Sequence, residues 1–106
     1  MAQPEADVLI VGGDSLIGSH TARRLTGAGL TVHATTRRPD GALRSPDRPF
    51  VDLAAQEWAA LDGSIYRTAV LCAAVARLAD CRRDPAGTAA VNVTGTLALA
   101  RRLTEQ

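Results

Sequence analysis

The chain has 106 residues, 46% of them apolar, and a formal net charge of +1 at pH 7. That length leaves room for one core and excludes a separate substrate domain. The 12 basic residues are all arginine and lie scattered, with pairs at Arg23–Arg24, Arg37–Arg38, Arg82–Arg83 and Arg101–Arg102, a distribution that argues against nucleic acid as a partner. No apolar stretch approaches the roughly 18 residues of a membrane span, and Met1 to Asp7 lacks the basic and apolar pattern of a leader. Cys72 and Cys81 have neither C-x-x-C nor zinc-ligand spacing, so the reading is a soluble cytoplasmic protein with reduced thiols and no metal site.

The first element is Asp7-Val-Leu-Ile-Val-Gly12, an unbroken apolar run ending in glycines, the pattern of a parallel strand buried on both faces. From Ser15 to Thr26, Leu16, Ile17, Ala22 and Leu25 keep helical spacing, and Gly27 and Gly29 supply the stop. Leu30 to Thr35 is rich in β-branched residues and predicts a second strand, followed by a proline-rich loop over Arg37 to Pro49. Phe50 to Asp52 predicts a third, very short strand, and Ala54 to Leu61 a helix closed by Asp62-Gly63. Ala69 to Ala74 is a fourth buried strand. After a polar stretch with room for one helical turn, Asp84-Pro85 offers an N-cap and a proline in first helical position, opening a helix to about Leu103. This alternation predicts an α/β fold: a Rossmann-like open parallel sheet of about four strands with flanking helices, ending before a fifth strand, in a single domain over residues 1–106.

Between the first strand and first helix lies Gly12-Gly13-Asp14-Ser15-Leu16-Ile17-Gly18, with spacing G-x-x-S-x-x-G. A dinucleotide fold wants glycine first for a sharp turn, a small middle residue so that the backbone can approach a pyrophosphate, and a last glycine so that helix and strand pack closely. Gly12 and Gly18 fill the outer roles and Ser15 stands in the middle one. The helix N-terminus, at Leu16 and Ile17, then presents free amides and a positive dipole end to the phosphates. The alternative is a tight turn that binds nothing. Gly13 to Gly18 also has the glycine spacing of a P-loop, but Ser19 and His20 follow in place of Lys and Ser/Thr, which argues against an ATPase.

The end of the second strand, about 20 residues past the glycines, meets the adenosine ribose in such folds. Arg37 and Arg38 lie there. Guanidinium groups pair with a 2′-phosphate, so the expected cofactor is NADP. Asp40 nearby keeps NAD open, and two arginines at the head of a polar loop are also explained as solvated charges. Asp52 either reaches the adenine amino group or caps the helix expected from Ala54.

These stretches resemble the N-terminal part of an extended short-chain dehydrogenase/reductase of the NAD-dependent epimerase/dehydratase group, most like the sugar-nucleotide reductases typified by dTDP-4-dehydrorhamnose reductase. The matching segments are Val11 to Gly18, Asp52-Leu53, Leu71-Cys-Ala-Ala-Val75, and Asp84-Pro85 followed by Val91-Asn-Val-Thr-Gly-Thr96, in the family's order and over nearly the whole chain. The resemblance implies a nucleotide-sugar oxidoreductase in which Asp52 and Leu53 belong to the cofactor site and Ala73, Ala74 and Val75 line it near the ribose and nicotinamide. It also implies that Asn92 helps hold the active-site wall; a structural hydrogen bond to a neighbouring loop explains Asn92 equally well. His20 and His33 match no catalytic position of the family and read as helix surface and strand packing.

Members of this family use a Tyr-x-x-x-Lys pair, in which the lysine lowers the tyrosine pKa. This chain contains no lysine and one tyrosine, Tyr66, and the resemblance puts the pair beyond Gln106. No residue is therefore expected to be catalytic, and the chain is expected to bind NAD(P) without catalysing on its own. The alternative is a non-catalytic dinucleotide-binding or interaction module, whose fourth-strand edge pairs with a second copy or a partner chain.

Overall fold

The computed structural model describes residues 4–40, 45–73 and 78–105. Strand β1 (Ala6–Val11) forms where the apolar run demands it, and Ala6, Val8, Leu9, Ile10 and Val11 are all buried. Helix α1 (Leu16–Gly27) follows. It ends in a Schellman motif, with the Leu30 amide donating to Leu25 O at 3.2 Å and that of Gly29 to Thr26 O at 3.0 Å. Strand β2 (Val32–Ala34) is short, but the Val8 amide bonds to Thr31 O at 3.1 Å and the Thr35 amide to Ile10 O at 2.8 Å. These bonds carry the pairing one residue beyond the strand at each end.

Two expected elements take a different form. The third strand is reduced to one parallel bridge between Thr36 and Phe50. Pro49, just before it, has no N–H to extend a ladder. In place of a helix over Ala54 to Leu61, residues 53–56 form a turn and only a 3₁₀ segment, Ala59–Leu61, is helical. The Asp52 carboxylate accepts from the amides of Ala54 (3.1 Å) and Ala55 (3.3 Å). Asp52 and Glu57 exchange main-chain bonds of 2.9 Å, and Gln56 sits at φ 51°. Local carboxylate-to-amide bonds of this kind compete with helix propagation.

Strand β3 (Tyr66–Leu71) begins three residues earlier than the apolar run suggested and ends at Leu71; Ala74, at the run's end, lies outside the described residues. It is not the buried strand expected: Arg67, Thr68, Ala69 and Leu71 are exposed, because among the described strands β3 pairs with β1 alone. Helix α2 (Leu78–Arg83) is followed by a continuous rod built of α3 (Pro85–Ala89), a π-helical segment (Ala90–Gly95) and α4 (Thr96–Thr104). Asp84 caps this rod as expected, accepting from the Gly87 amide at 3.0 Å. Among the described residues no helix is long and apolar enough to cross a membrane.

The sheet is parallel with order β2-β1-β3: Val8 pairs with Val32 on one side and Thr68 on the other. Leu9 and Val11 point into a cluster with Val51, Leu53, Leu61 and Leu99, against which Trp58, Tyr66 and Leu103 pack. Alternation sends Val8 and Ile10 to the opposite face, where α1 lies against β1 and β2. Burial of each large aliphatic side chain contributes about 1.5–3 kcal/mol. The chain winds from β1 to β2 on one side and then returns to place β3 on the other. In an open parallel sheet this reversal leaves a crevice at the carboxyl ends of the strands.

Candidate functional site

The crevice opens where β1 and β3 end. Beyond Val11 the chain turns through Gly12, whose φ of 97° is one that L side chains rarely adopt. A Cβ at Gly12 would lie 2.6 Å from the Ala73 amide nitrogen, so main chain approaches main chain there. Thr35, 2% exposed, fastens the turn to the end of β2. Its hydroxyl accepts from the Gly12 amide and its carbonyl from the Gly13 amide, both at 2.9 Å.

Ser15 is the N-cap of α1, with extended backbone at φ −75° and ψ 160°. Its hydroxyl donates to Gly12 O at 2.8 Å and accepts from the Gly18 amide at 3.0 Å. The middle position of the glycine pattern therefore needs no left-handed backbone, and serine there gains a capping bond. Gly18 is buried against the Gly12 carbonyl, where a Cβ would collide. Leu16 and Ile17, 84% and 70% exposed, open the helix on the solvent side. First-turn amides of a helix lack helical partners and carry the positive end of its dipole, so this turn can receive an anion.

Asp14 reaches from the turn to the end of β2. Its Oδ2 accepts from the Thr36 hydroxyl at 2.7 Å and from the Arg37 amide at 3.2 Å, and its Oδ1 pairs with the Arg48 guanidinium. Partial burial works against ionisation, but the Thr36 hydroxyl, the Arg37 amide and Arg48 outweigh it and hold the Asp14 carboxyl below its ordinary value.

A cleft of about 160 Å³ joins these parts. Gly12, Asp14 and Ser15 form one wall, Thr35 and Arg37 the end of β2, Asp52 and Leu53 the loop beyond it, Ala73 the end of β3, and Val91 the π segment. Enclosed ligand sites span roughly 300–1,000 Å³, so this cleft can enclose one portion of a dinucleotide while the remainder lies along the surface. Val51, Leu53, Ala73 and Val91 make its apolar part, which suits a flat base.

Of the residues the sequence singled out, Gly12, Ser15, Arg37, Asp52, Leu53 and Ala73 come together in the cleft. Leu16, Ile17 and Gly18 stand beside it in the turn. Arg38 is exposed and outside the lining, its amide bonded to the Thr36 hydroxyl at 3.0 Å. Asn92 is half-buried in the π segment, one residue past the lining residue Val91. Ala74 and Val75 lie outside the described residues. Asp52 does cap the turn that follows it, and it lines the cleft as well. Sequence reasoning missed Asp14, Thr35 and Val91. The available signal for the first two was an acid inside the glycine turn and paired threonines closing the second strand.

Tyr66 sits at the opposite end of β3, five residues and roughly 16 Å of strand from Leu71. Its hydroxyl lies 3.0 Å from His33 Nδ1, and burial, aided by Glu5, pushes its pKa up. It takes no part in the cleft. His20 lies exposed on α1.

A family model, the NAD dependent epimerase/dehydratase family, matches residues 8–106. No curated protein and no solved structure matches the chain.

Proposed function

Because the chain belongs to the NAD-dependent epimerase/dehydratase family and is thus an NAD(P)-binding domain of oxidoreductase type, we propose that the cleft between the glycine turn and the ends of β2 and β3 holds the adenosine half of that cofactor. The observation that carries this reading is the convergence of Gly12, Asp14, Arg37, Leu53 and Ala73 on one cleft at the point where the sheet reverses its winding. In this reading the first turn of α1 receives the pyrophosphate, the end of β2 meets the ribose, and the slot between Leu53 and Val91 takes the adenine beside Asp52. The bound cofactor supplies hydride chemistry at its nicotinamide ring. The chain's own residues bind and orient it. With no lysine in the sequence and Tyr66 at the far end of β3, they hold no Tyr-x-x-x-Lys pair for proton transfer.

The likeness of Val11 to Gly18, Leu71 to Val75 and Val91 to Thr96 to sugar-nucleotide reductases supports a nucleotide sugar as the substrate class. Titrating the purified chain calorimetrically with NADH and NADPH tests the cofactor reading; no heat with either would refute it. A second reading, an interaction module, draws on the exposure of Arg67, Thr68, Ala69 and Leu71 along β3, which among the described strands pairs with β1 alone. A stably folded chain that stays monomeric at high concentration would count against self-association through that edge.

A further inference from the structure

We propose that Asp14 is a specificity-determining residue, and that its carboxylate selects NAD over NADP by occupying the place where a 2′-phosphate would have to sit. The inference rests on the reading of the cleft as a dinucleotide site and deepens it. It departs from the expectation that Arg37 and Arg38 recruit NADP.

The argument begins with where the charge is fixed. In dinucleotide folds the group at the end of the second strand decides the cofactor: a carboxylate accepts from the ribose 2′-hydroxyl, and a guanidinium pairs with the 2′-phosphate. Here a carboxylate arrives at that place from the glycine turn, 22 residues before Thr36 in sequence. It is held against the Thr36 hydroxyl and the Arg37 amide and lines the same cleft as Arg37.

Mobility separates the competing charges. Among the described residues Asp14 takes donors from Thr36, the Arg37 amide and Arg48, so the carboxylate cannot withdraw from an arriving anion without breaking main-chain and side-chain bonds. The side chains of Arg37 and Arg38 are exposed. Each can swing to a phosphate or stay in solvent, and ordering a long side chain costs conformational entropy. Arg48, the third guanidinium nearby, is committed to Asp14. A carboxylate has about four acceptor sites; the hydroxyl and amide occupy Oδ2, and Arg48 takes one on Oδ1. That leaves Oδ1 able to accept one further donor, the number a ribose hydroxyl supplies. A phosphate at neutral pH brings negative charge and no such donor, and meets an ionised carboxylate.

The test measures NADH and NADPH affinities, and those of 5′-AMP and 2′,5′-ADP, for the wild-type chain, Asp14→Asn and Arg37→Ala/Arg38→Ala, with thermal melting to establish that each is folded. The expected wild-type result is NADH binding at least tenfold tighter than NADPH, with 5′-AMP preferred over 2′,5′-ADP in the same sense. Asn keeps an acceptor for Thr36 and the Arg37 amide while removing the charge, and should shrink the preference at least tenfold, mainly by gaining NADPH affinity. Wild-type preference for NADPH, or equal effects of Asp14→Asn on both cofactors, overturns the assignment while leaving the dinucleotide site standing. If Asp14→Asn does not fold, Asp14→Ser takes its place with the same expected and overturning results, and wild-type preference for NADPH still overturns the assignment by itself. Failure of the wild-type chain to bind any of the four ligands removes the site and the proposal with it.

Discussion

Replacing Gly12 by alanine probes the close approach of β1 and β3 on which the cleft depends. Gly12 adopts φ 97°, and an L residue held in left-handed backbone costs about 1–2 kcal/mol. The added Cβ would stand 2.6, 2.8 and 2.9 Å from the nitrogen, Cα and Cβ of Ala73, so main chain, and not the tip of a flexible side chain, must yield. Overpacking of that kind costs about 1–3 kcal/mol. The two together give roughly 2–5 kcal/mol, a large share of the ~5–15 kcal/mol by which domains are stable. Urea unfolding followed by circular dichroism and by the single tryptophan, Trp58, should show a lower midpoint with an unchanged slope. Below the transition, NADH affinity should fall at least tenfold, because Gly12 and Ala73, which meet main chain to main chain, both line the cleft. Stability within about 0.5 kcal/mol of wild type, or an unchanged affinity, would refute the reasoning.

Ser15→Ala should lower stability by about 0.5–2 kcal/mol through loss of the cap, and Ser15→Gly by only a few tenths; thermal melts showing equal losses would exclude the capping role. Leu99, 0% exposed in the core cluster, should cost about 2–5 kcal/mol as Leu99→Ala, read by urea unfolding, and a loss below ~1 kcal/mol would show that the site collapses. The Asp14 carboxyl is held below its ordinary 3.8, so its contribution is present above that value and disappears as pH falls through the lowered folded one. Acid titrations of wild type and Asp14→Asn should therefore differ at neutral pH, begin to approach one another near pH 3.8 and converge only once pH has fallen through the lowered folded value; a constant gap would contradict the ionised brace. The Tyr66 phenol is raised above 10.0 by burial and Glu5, so its contribution is present below 10.0 and is lost as pH climbs through the folded value. Tyr66→Phe should flatten that alkaline loss.

What the sequence made legible was local. The unbroken run of β1, the glycine turn and the Asp84-Pro85 start each depend on residues within a few positions of one another, and all three formed as expected. Asp52 shows where such reading falls short: the stretch from Ala54 to Leu61 read as a helix closed by Asp62-Gly63, whereas two amides donating to the one Asp52 carboxylate fold a turn instead. Asp14 shows the other limit. Its partners Thr36, Arg37 and Arg48 are brought to it only when β2 pairs beside β1, a contact that no spacing within the glycine pattern encodes.

The π segment joins the two levels. A residue pattern that read as one long helix acquires i→i+5 geometry over Ala90–Gly95, and the Thr96 hydroxyl donates to Val91 O at 2.8 Å across that same interval. Gly95 is buried where a Cβ would meet the Leu53 carbonyl, so the rod presses directly on the loop that follows Asp52. Val91, roughly one turn earlier, thereby enters the cleft beside Leu53. Single-turn π bulges inside helices occur frequently at functional sites, and here the physical reason is visible. A wider turn shifts the register of the rod between the core contact at Leu99 and the cleft contact at Val91, so both apolar residues face the sheet. Thr96→Val removes the hydroxyl while keeping the branched shape. It should therefore weaken dinucleotide binding more than stability, and a loss confined to stability would restrict Thr96 to a role in holding the helix together.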